Sequence, residues 1–257
     1  MLREVAEYPN SFVDLSPGQE RIEAGRYTLC LERSLLAATV QRQRFAPDEL
    51  DDVLAEVRGR LRERGRHVTQ WEVGSAAQPA DLVNRLLERG LVHDDEPMAT
   101  AVALDAAPPP PPAGLTARRI ETFEEFRAAK EVQWEAFRTP RERILDDRRR
   151  LPEDWEQASA RLMHGVWDGA ELICAGTCAP TPFGLALFGG ATRRAARGRG
   201  AYRALISARW QEAERVGVPA LVTQAGAMSR PILERLGFAA IGRVDMLVDD
   251  FGPAGAT

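Results

Sequence analysis

The chain has 257 residues, room for one large domain or two modest ones, and two is the better starting point. Its 44% hydrophobic and 28% charged residues exclude a disordered chain and supply a core. A net charge of −4 and a pI near 5.6 exclude the concentrated basic surface that nucleic-acid binding needs.

The first residues, Met1-Leu2-Arg3-Glu4-Val5-Ala6-Glu7, carry acids where a secretory signal needs an apolar stretch. No segment reaches the roughly 18 apolar residues of a membrane span, so a cytoplasmic protein with no membrane partner is expected. Pro47 to Arg64 reads as a helix, Val68 to Val73 as a strand, Pro79 to Arg89 as a helix and Met98 to Leu104 as a strand. Asp105-Ala106-Ala107, the five prolines Pro108 to Pro112, and Ala113-Gly114 form a stiff linker, since successive prolines hold extended backbone and lack amide donors. At ~3.1 Å per residue, the prolines would span roughly 15 Å. The expected division is residues 1–105, a linker at 106–114, and a second domain at 115–257.

In the second part, Leu115 to Ile120 reads as a strand, and Thr122-Phe123-Glu124-Glu125 is a capping box opening a helix. Arg141 to Arg161 holds one or two further helices. Met163 to Trp167, the Asp168-Gly169 turn and Glu171 to Ala179 form a hairpin. Leu185 to Arg193 is a strand, and Arg199 to Arg215 an amphipathic helix ended at Gly217-Val218-Pro219. A strand at Ala220 to Gln224, a short helix at Ser229 to Leu236 stopped by Gly237, and a strand at Ile241 to Val248 complete a mixed α/β order. Leu86-Leu87-Glu88-Arg89-Gly90-Leu91 echoes Ile232-Leu233-Glu234-Arg235-Leu236-Gly237-Phe238. Both echo segments sit in a helix-strand-helix-strand series, which points to an internal repeat.

Cys30, Cys174 and Cys178 form no disulfide framework or thiolate zinc site, and His67, His93 and His164 have no ligand spacing, so no metal is expected. Lys130 is the single lysine in an arginine-rich chain, which reads as the coding bias of a GC-rich genome. The chemistry-bearing segment is Arg197-Gly198-Arg199-Gly200-Ala201-Tyr202, between a strand and an amphipathic helix. Glycines there let the backbone approach an anion, the first helical amides point at a pyrophosphate, and Arg197, Arg199 or Arg203 add charge.

This segment resembles the acyl-CoA loop of the GNAT superfamily of N-acetyltransferases, Arg/Gln-x-x-Gly-x-Gly/Ala, met as Arg197-x-x-Gly200-x-Tyr202, with Tyr202 departing at the last position. Ser229 to Phe238 is similar to the late GNAT helix that ends in Leu-Gly-Phe. The resemblance covers about Leu115 to Phe251. It implies a GNAT-like mixed α/β fold in tandem with a degenerate N-terminal GNAT-like domain that lacks the cofactor loop, since Phe45-Ala46-Pro47-Asp48 stands at the matching helix start.

The resemblance also implies acetyl-CoA or another short acyl-CoA as cosubstrate, with Ala191, Thr192 and Arg193 binding the pantetheine arm and Arg197, Gly198, Arg199, Gly200, Ala201, Tyr202 and Arg203 the pyrophosphate. Direct acyl transfer to an amine, on a small molecule, is the implied reaction. The family's acid, a tyrosine, is Leu233 here, and Leu185 to Arg194 holds no Glu to act as base. Glu131 and Glu135 lie one helical turn apart, and Glu135 is the candidate base against a plain solvated glutamate. Cys174 and Cys178 face one side of a strand, either core or substrate wall. Trp134, Phe137, Trp155 and Trp167 are either an acceptor pocket or core. A non-catalytic acyl-CoA-sensing or interaction module is the alternative function, and either a monomer or a homodimer is compatible with the chain.

Overall fold

A computed structural model describes residues 1–33, 38–157 and 162–252. In chain order the elements begin with α1 (Leu2–Glu7), β1 (Glu20–Glu23), β2 (Thr28–Leu31), β3 (Ala38–Gln41), α2 (Leu50–Arg62), β4 (Val68–Gly74), α3 (Leu82–Glu88) and β5 (Val92–Leu104). They continue with β6 (Leu115–Arg119), α4 (Phe123–Phe137), α5 (Arg141–Gln157), β7 (Leu162–Asp168), β8 (Glu171–Thr181) and β9 (Gly184–Thr192). The last are α6 (Ala201–Val216), β10 (Leu221–Ala225), α7 (Arg230–Arg235) and β11 (Ala239–Asp250).

Contacts divide the chain into two compact units that interleave in sequence. One comprises Met1–Val102, Gln224–Ile232 and the segment from Ala240, the other Ala103–Thr223 and Leu233–Ala239. The expected second domain, 115–257, therefore does not coincide with the second unit. Its last strand, β11, is hydrogen-bonded antiparallel to β4 from Val244↔Gly74 to Asp250↔Val68 and belongs to the first unit. The physical reason is that β11 is buried on both faces: Val244 and Met246 pack with Ala99, while Leu247 joins the core of Leu29, Val40, Trp71 and Leu86. The expected end at residue 257, and residues 158–161 within the expected helical stretch Arg141 to Arg161, lie outside the described residues.

In the first unit the strand order is β1-β2-β3-β4-β11-β5. β2 and β3 are antiparallel, and β3 and β4 are parallel, as the crossover through α2 requires. Leu50, Val53, Leu54, Val57 and Leu61 recur at helical spacing and bury one face of α2. Sequence reading finds α2 to β5 but neither α1 nor β1 to β3, whose strands are four residues each, too short to show a period.

In the second unit the order is β10-β9-β8-β7-β6, antiparallel from β6 to β9 and parallel between β9 and β10. The β7–β8 turn has Gly169 at φ 57°, and the Glu125 amide donates to Thr122 Oγ1 at 3.2 Å, as the turn and capping motifs predict. β8 is buried on both faces. Leu172 and Ala175 pack with α4 residues Phe126, Ala129 and Val132, while Ile173 and Cys174 pack with α6 residues Ala201, Ala204 and Leu205. α5 is one helix carrying Pro152. No helix among the described residues is long and apolar enough to cross a membrane.

The internal echo is structural, one residue off the letter match. After α3, Gly90 (φ 89°) donates to Leu87 O at 3.0 Å and Leu91 to Leu86 O at 3.2 Å. After α7, Gly237 (φ 98°) donates to Glu234 O at 3.0 Å and Phe238 to Leu233 O at 3.1 Å. Leu86 thus corresponds to Leu233, and both are buried beneath a left-handed glycine cap.

Candidate functional site

Between β9 and α6 the chain passes through Gly198 (φ 78°) and Gly200 (φ 82°), left-handed positions that a side chain would strain. Gly200 is the N-cap of α6 and offers no side-chain acceptor. The first intrahelical bond is Ala204 N–H to Gly200 O at 3.0 Å, so the amides of Ala201, Tyr202 and Arg203 stand outside the helical ladder. The first turn has no acid. Arg197 is exposed and its side chain makes no ion pair among the described residues. Arg203 Nε is buried with no hydrogen-bond partner, and Arg199 is paired to Asp168. The uncapped amides of this 16-residue helix and the guanidiniums of Arg197 and Arg203 put a positive field at its start, the kind of field that favours an anion.

The last proline of the linker reaches this loop. A Cβ on Gly200 would lie 2.7 Å from Pro112 Cγ, so Gly200 is required by contact as well as by dihedral.

Upstream, β9 pairs in parallel with β10 through Leu185↔Leu221 and Ala186↔Val222, and Thr223 Oγ1–H donates to Leu187 O at 2.9 Å. Its register with β8 shifts between Ala175 and Thr177, where Gly176 faces the extra residues Gly189 and Gly190 of a bulge. Gly189 sits at φ 54°, and its carbonyl accepts from Gln133 Nε2 of α4 at 2.8 Å. From the opposite face Arg209 of α6, fully buried, donates to Thr177 O at 3.0 Å and Phe188 O at 3.2 Å. Gly176 leaves room for that guanidinium. Gly190 leaves room for the Tyr202 ring, whose hydroxyl would be 3.1 Å from a Cβ there. Tyr202, the departure from the family loop, thus packs against the bulge, and burial pushes its phenol pKa up.

Of the three expected pantetheine-binding positions, Arg193 donates its amide to Ile173 O at 2.9 Å, spending it on β8. Strand alternation then turns the backbone groups of Thr192 to the other edge, and Ala191 pairs with Ala175.

Glu135 does not stand free as a base. Its Oε1 accepts from the Arg194 amide at 3.0 Å and its Oε2 from Arg193 Nη1 at 2.7 Å. The Arg194 amide first, then the Arg193 guanidinium, hold its pKa below the usual carboxylate value. It pins the turn that follows β9. Glu131 faces Arg148 at 3.7 Å. Leu233, at the family's tyrosine position, is 1% exposed and serves the cap after α7.

Cys174 and Cys178 are both fully buried, and burial pushes their thiols up to about 11 and about 12. Cys178 Sγ is 3.7 Å from His164 Nδ1, and His164 Nε2 is 3.6 Å from Glu212 Oε2. Burial drives His164 down to about 4. Glu212 is held at about 2, because its bonds to Arg119 and Arg215 outweigh a desolvation that works the other way. A neutral imidazole beside a protonated thiol in a closed core is structural.

The four aromatics divide. Trp155 packs on Phe126 at 5.5 Å, and Trp167 lies under the Arg118 guanidinium at 4.1 Å. Trp134 and Phe137 line a cavity of about 450 Å³ with Lys130, Gln133, Thr139, Pro140, Arg143, Asp147 and Gly189. The cavity therefore borders the bulge. Sequence reading missed Gln133, Arg143, Asp147 and Arg209. Arg209 announces itself as a charge on the apolar face of α6 between Leu205 and Ala213, and the bulge as the pair Gly189-Gly190 within a strand.

No family model and no curated protein sequence matches the chain. Solved structures match its fold over most of its length. A GCN5-related N-acetyltransferase from Kribbella flavida is 20% identical, with 91% of each chain covered and a TM-score of 0.70. A tandem GNAT protein from the clavulanic acid biosynthesis pathway, without AcCoA, is 17% identical, covers 98% of this chain and 94% of its own, and has a TM-score of 0.62. A GCN5-related N-acetyltransferase from Sphaerobacter thermophilus is 21% identical, with 89% and 78% covered and a TM-score of 0.62. This chain has the GNAT fold.

Proposed function

We propose that this GNAT-fold protein is an acyl-CoA-dependent N-acetyltransferase whose acyl-CoA site lies in its second unit. The observation that carries the reading is the uncapped start of α6, with Arg197 and Arg203 beside it and the β9 bulge at Gly189-Gly190 upstream. The amides of Ala201, Tyr202 and Arg203 would take the pyrophosphate, and Thr192 the pantetheine arm. The cavity beside Gly189 would hold a small-molecule amine. In the reaction the neutral amine nitrogen bonds to the thioester carbon, the carbon–sulfur bond breaks, and the amine's proton leaves while the thiolate gains one.

The test is thermal unfolding with and without saturating acetyl-CoA, against adenosine diphosphate as a control. At about 100 times its dissociation constant, a ligand stabilises by roughly 2.7 kcal/mol, a rise of roughly 5 to 10 °C at this size. No shift beyond the control in folded protein would sink the reading.

The burial of Leu233 and the engagement of Glu135 favour one second reading, a module that binds acyl-CoA without turnover. It predicts the same thermal shift with no thiol release across a panel of amines.

A further inference from the structure

We propose that the cavity beside Gly189 selects acceptors that carry a carboxylate along with the amine, on an apolar body the size of an aromatic amino acid. This rests on the acyltransferase reading for its chemistry, but the recognition follows from the cavity's own residues.

Most charges on this face are matched. Arg193 meets Glu135, Arg148 meets Glu131, and Arg149 and Arg150 both meet Asp146. Two cations that line the cavity are not. Lys130 on α4 is half-buried and Arg143 in the first turn of α5 is exposed, and neither has an ion pair or hydrogen bond among the described residues. Lys130 is the only lysine in the chain, a compact point charge where arginine serves everywhere else. A ligand carboxylate in the cavity would meet both of these unpaired cations.

The third charge of the cavity is opposite in sign. Asp147 accepts from Trp134 Nε1 at 3.0 Å through Oδ2, which leaves Oδ1 for an ammonium. Trp134, Phe137 and Pro140 supply apolar walls, and about 450 Å³ suits a small molecule rather than a protein segment. Two cations, one carboxylate and an aromatic wall are the complement of a zwitterion with a flat apolar side group. The bulge carbonyl of Gly189, held by Gln133, marks the wall toward which its amine would face.

The test compares L-phenylalanine with 2-phenylethylamine, which lacks only the carboxylate. Binding to the full chain is measured by calorimetry without acyl-CoA, and acetyl transfer separately. The expectation is roughly tenfold or tighter binding of phenylalanine, abolished in Lys130→Gln and reduced in Arg143→Gln, with 2-phenylethylamine unaffected by either change. Lys130→Arg should restore part of the preference. Arg143 is exposed, so its variant keeps the test open if a Lys130 variant fails to fold. Equal binding of the two amines, or none, overturns the inference whatever acetyl-CoA does. Acetylation of Lys130 itself by acetyl-CoA alone, read by mass, also overturns it by making the lysine the acceptor. A missing acetyl-CoA shift with phenylalanine still preferred would instead overturn the acyltransferase reading and leave the pocket standing.

Discussion

In the first unit the antiparallel pair β2–β3 is followed by the crossover helix α2 and the parallel strand β4. In the second, β8–β9 is followed by α6 and β10 in the same sense. The β2–β3 register is unbroken from Thr28↔Gln41 to Leu31↔Ala38, whereas that of β8–β9 shifts at Gly176. Past the end of β3 the chain stays stitched to the segment after β4. Gln78 N–H donates to Gln43 O at 3.0 Å, and Gln43 Nε2 donates to Val40 O and Glu72 O. The β9–β10 register runs through Leu185↔Leu221 and Ala186↔Val222, and Thr223 Oγ1–H donates to Leu187 O. At the helix starts, α2 follows Ala46 and Pro47, which lacks an amide hydrogen. Glu49 folds its carboxylate back onto the Ala46 amide at 2.7 Å, and Asp51 and Asp52 complete an acidic first turn. α6 follows a bare glycine and arginines. One topology thus carries two opposite fields at the same place, and the proposed site rests on a few local residues rather than on the fold.

The most damaging way to break this contrast is to close the bulge. In Gly176→Val the new side chain occupies the place of the Arg209 guanidinium. Displacing a buried cation from its acceptors costs about 3–5 kcal/mol. The melting temperature should fall on the order of 10 °C. Cys30→Val, in the unbroken β2–β3 pair, is nearly isosteric and should cost less than about 1.5 kcal/mol. Equal losses for the two variants, measured by calorimetry, would remove the special status of the bulge.

Next in size is the response to acid. His164 is driven from 6.5 to about 4 in the folded protein, so below pH 6.5 the unfolded chain takes up a proton that the folded one refuses. Stability is full above 6.5 and declines as pH falls toward 4, by about 3 kcal/mol at most. Glu212, at about 2, adds a loss only below its ordinary value of 4.5. In the first unit burial raises the pKa of Glu72, so its contribution is full below 4.5 and lost as pH rises through its folded value. Between pH 6.5 and 4.5, acid should weaken the second unit and not the first, which hydrogen exchange followed by mass can read segment by segment. His164→Gln should flatten the response of the second unit, and a uniform response in both would contradict the assignment.

What the sequence made legible follows the same division. The linker, the hairpin at Asp168-Gly169, the Thr122 cap and α2 to β5 were readable because local chemistry decides them. At Gly198 and Gly200 the left-handed backbone was readable because glycine is the residue that takes it without strain. The membership of β11 was not, since the residues of a strand do not say which neighbour it pairs with. Nor was the fate of Glu135: a glutamate that pins the Arg193–Arg194 turn looks in sequence like one exposed to solvent. Lys130, Arg143 and Asp147 come from two helices and meet only in three dimensions, so their combined charge pattern has no sequence signature.

Reversing the charge at α6 sharpens the comparison at a cost to binding alone. Arg197→Glu with Arg203→Glu gives α6 an acidic start like that of α2, and acetyl-CoA should bind roughly 100-fold more weakly, removing its thermal shift, while the unliganded melting point stays within about 1 °C. These arginines make a cleaner probe than Gly200, where any side chain also meets Pro112. Retained affinity would move the anion site away from α6.

The smallest expected effect lies at the other helix start. Glu49→Gln weakens the charge on the bond to the Ala46 amide and should cost less than about 1 kcal/mol. It should create no acetyl-CoA site in the first unit, because three obstacles remain: Pro47 offers no donor, Asp51 and Asp52 keep the first turn acidic, and the Gln43–Gln78 bond keeps the strand edge closed. The sensitive measurement is acetyl-CoA binding in the Arg197→Glu, Arg203→Glu background, where any affinity regained on adding Glu49→Gln must come from the first unit. A regained site would mean that one carboxylate, rather than the combination of helix start and closed edge, separates the two units.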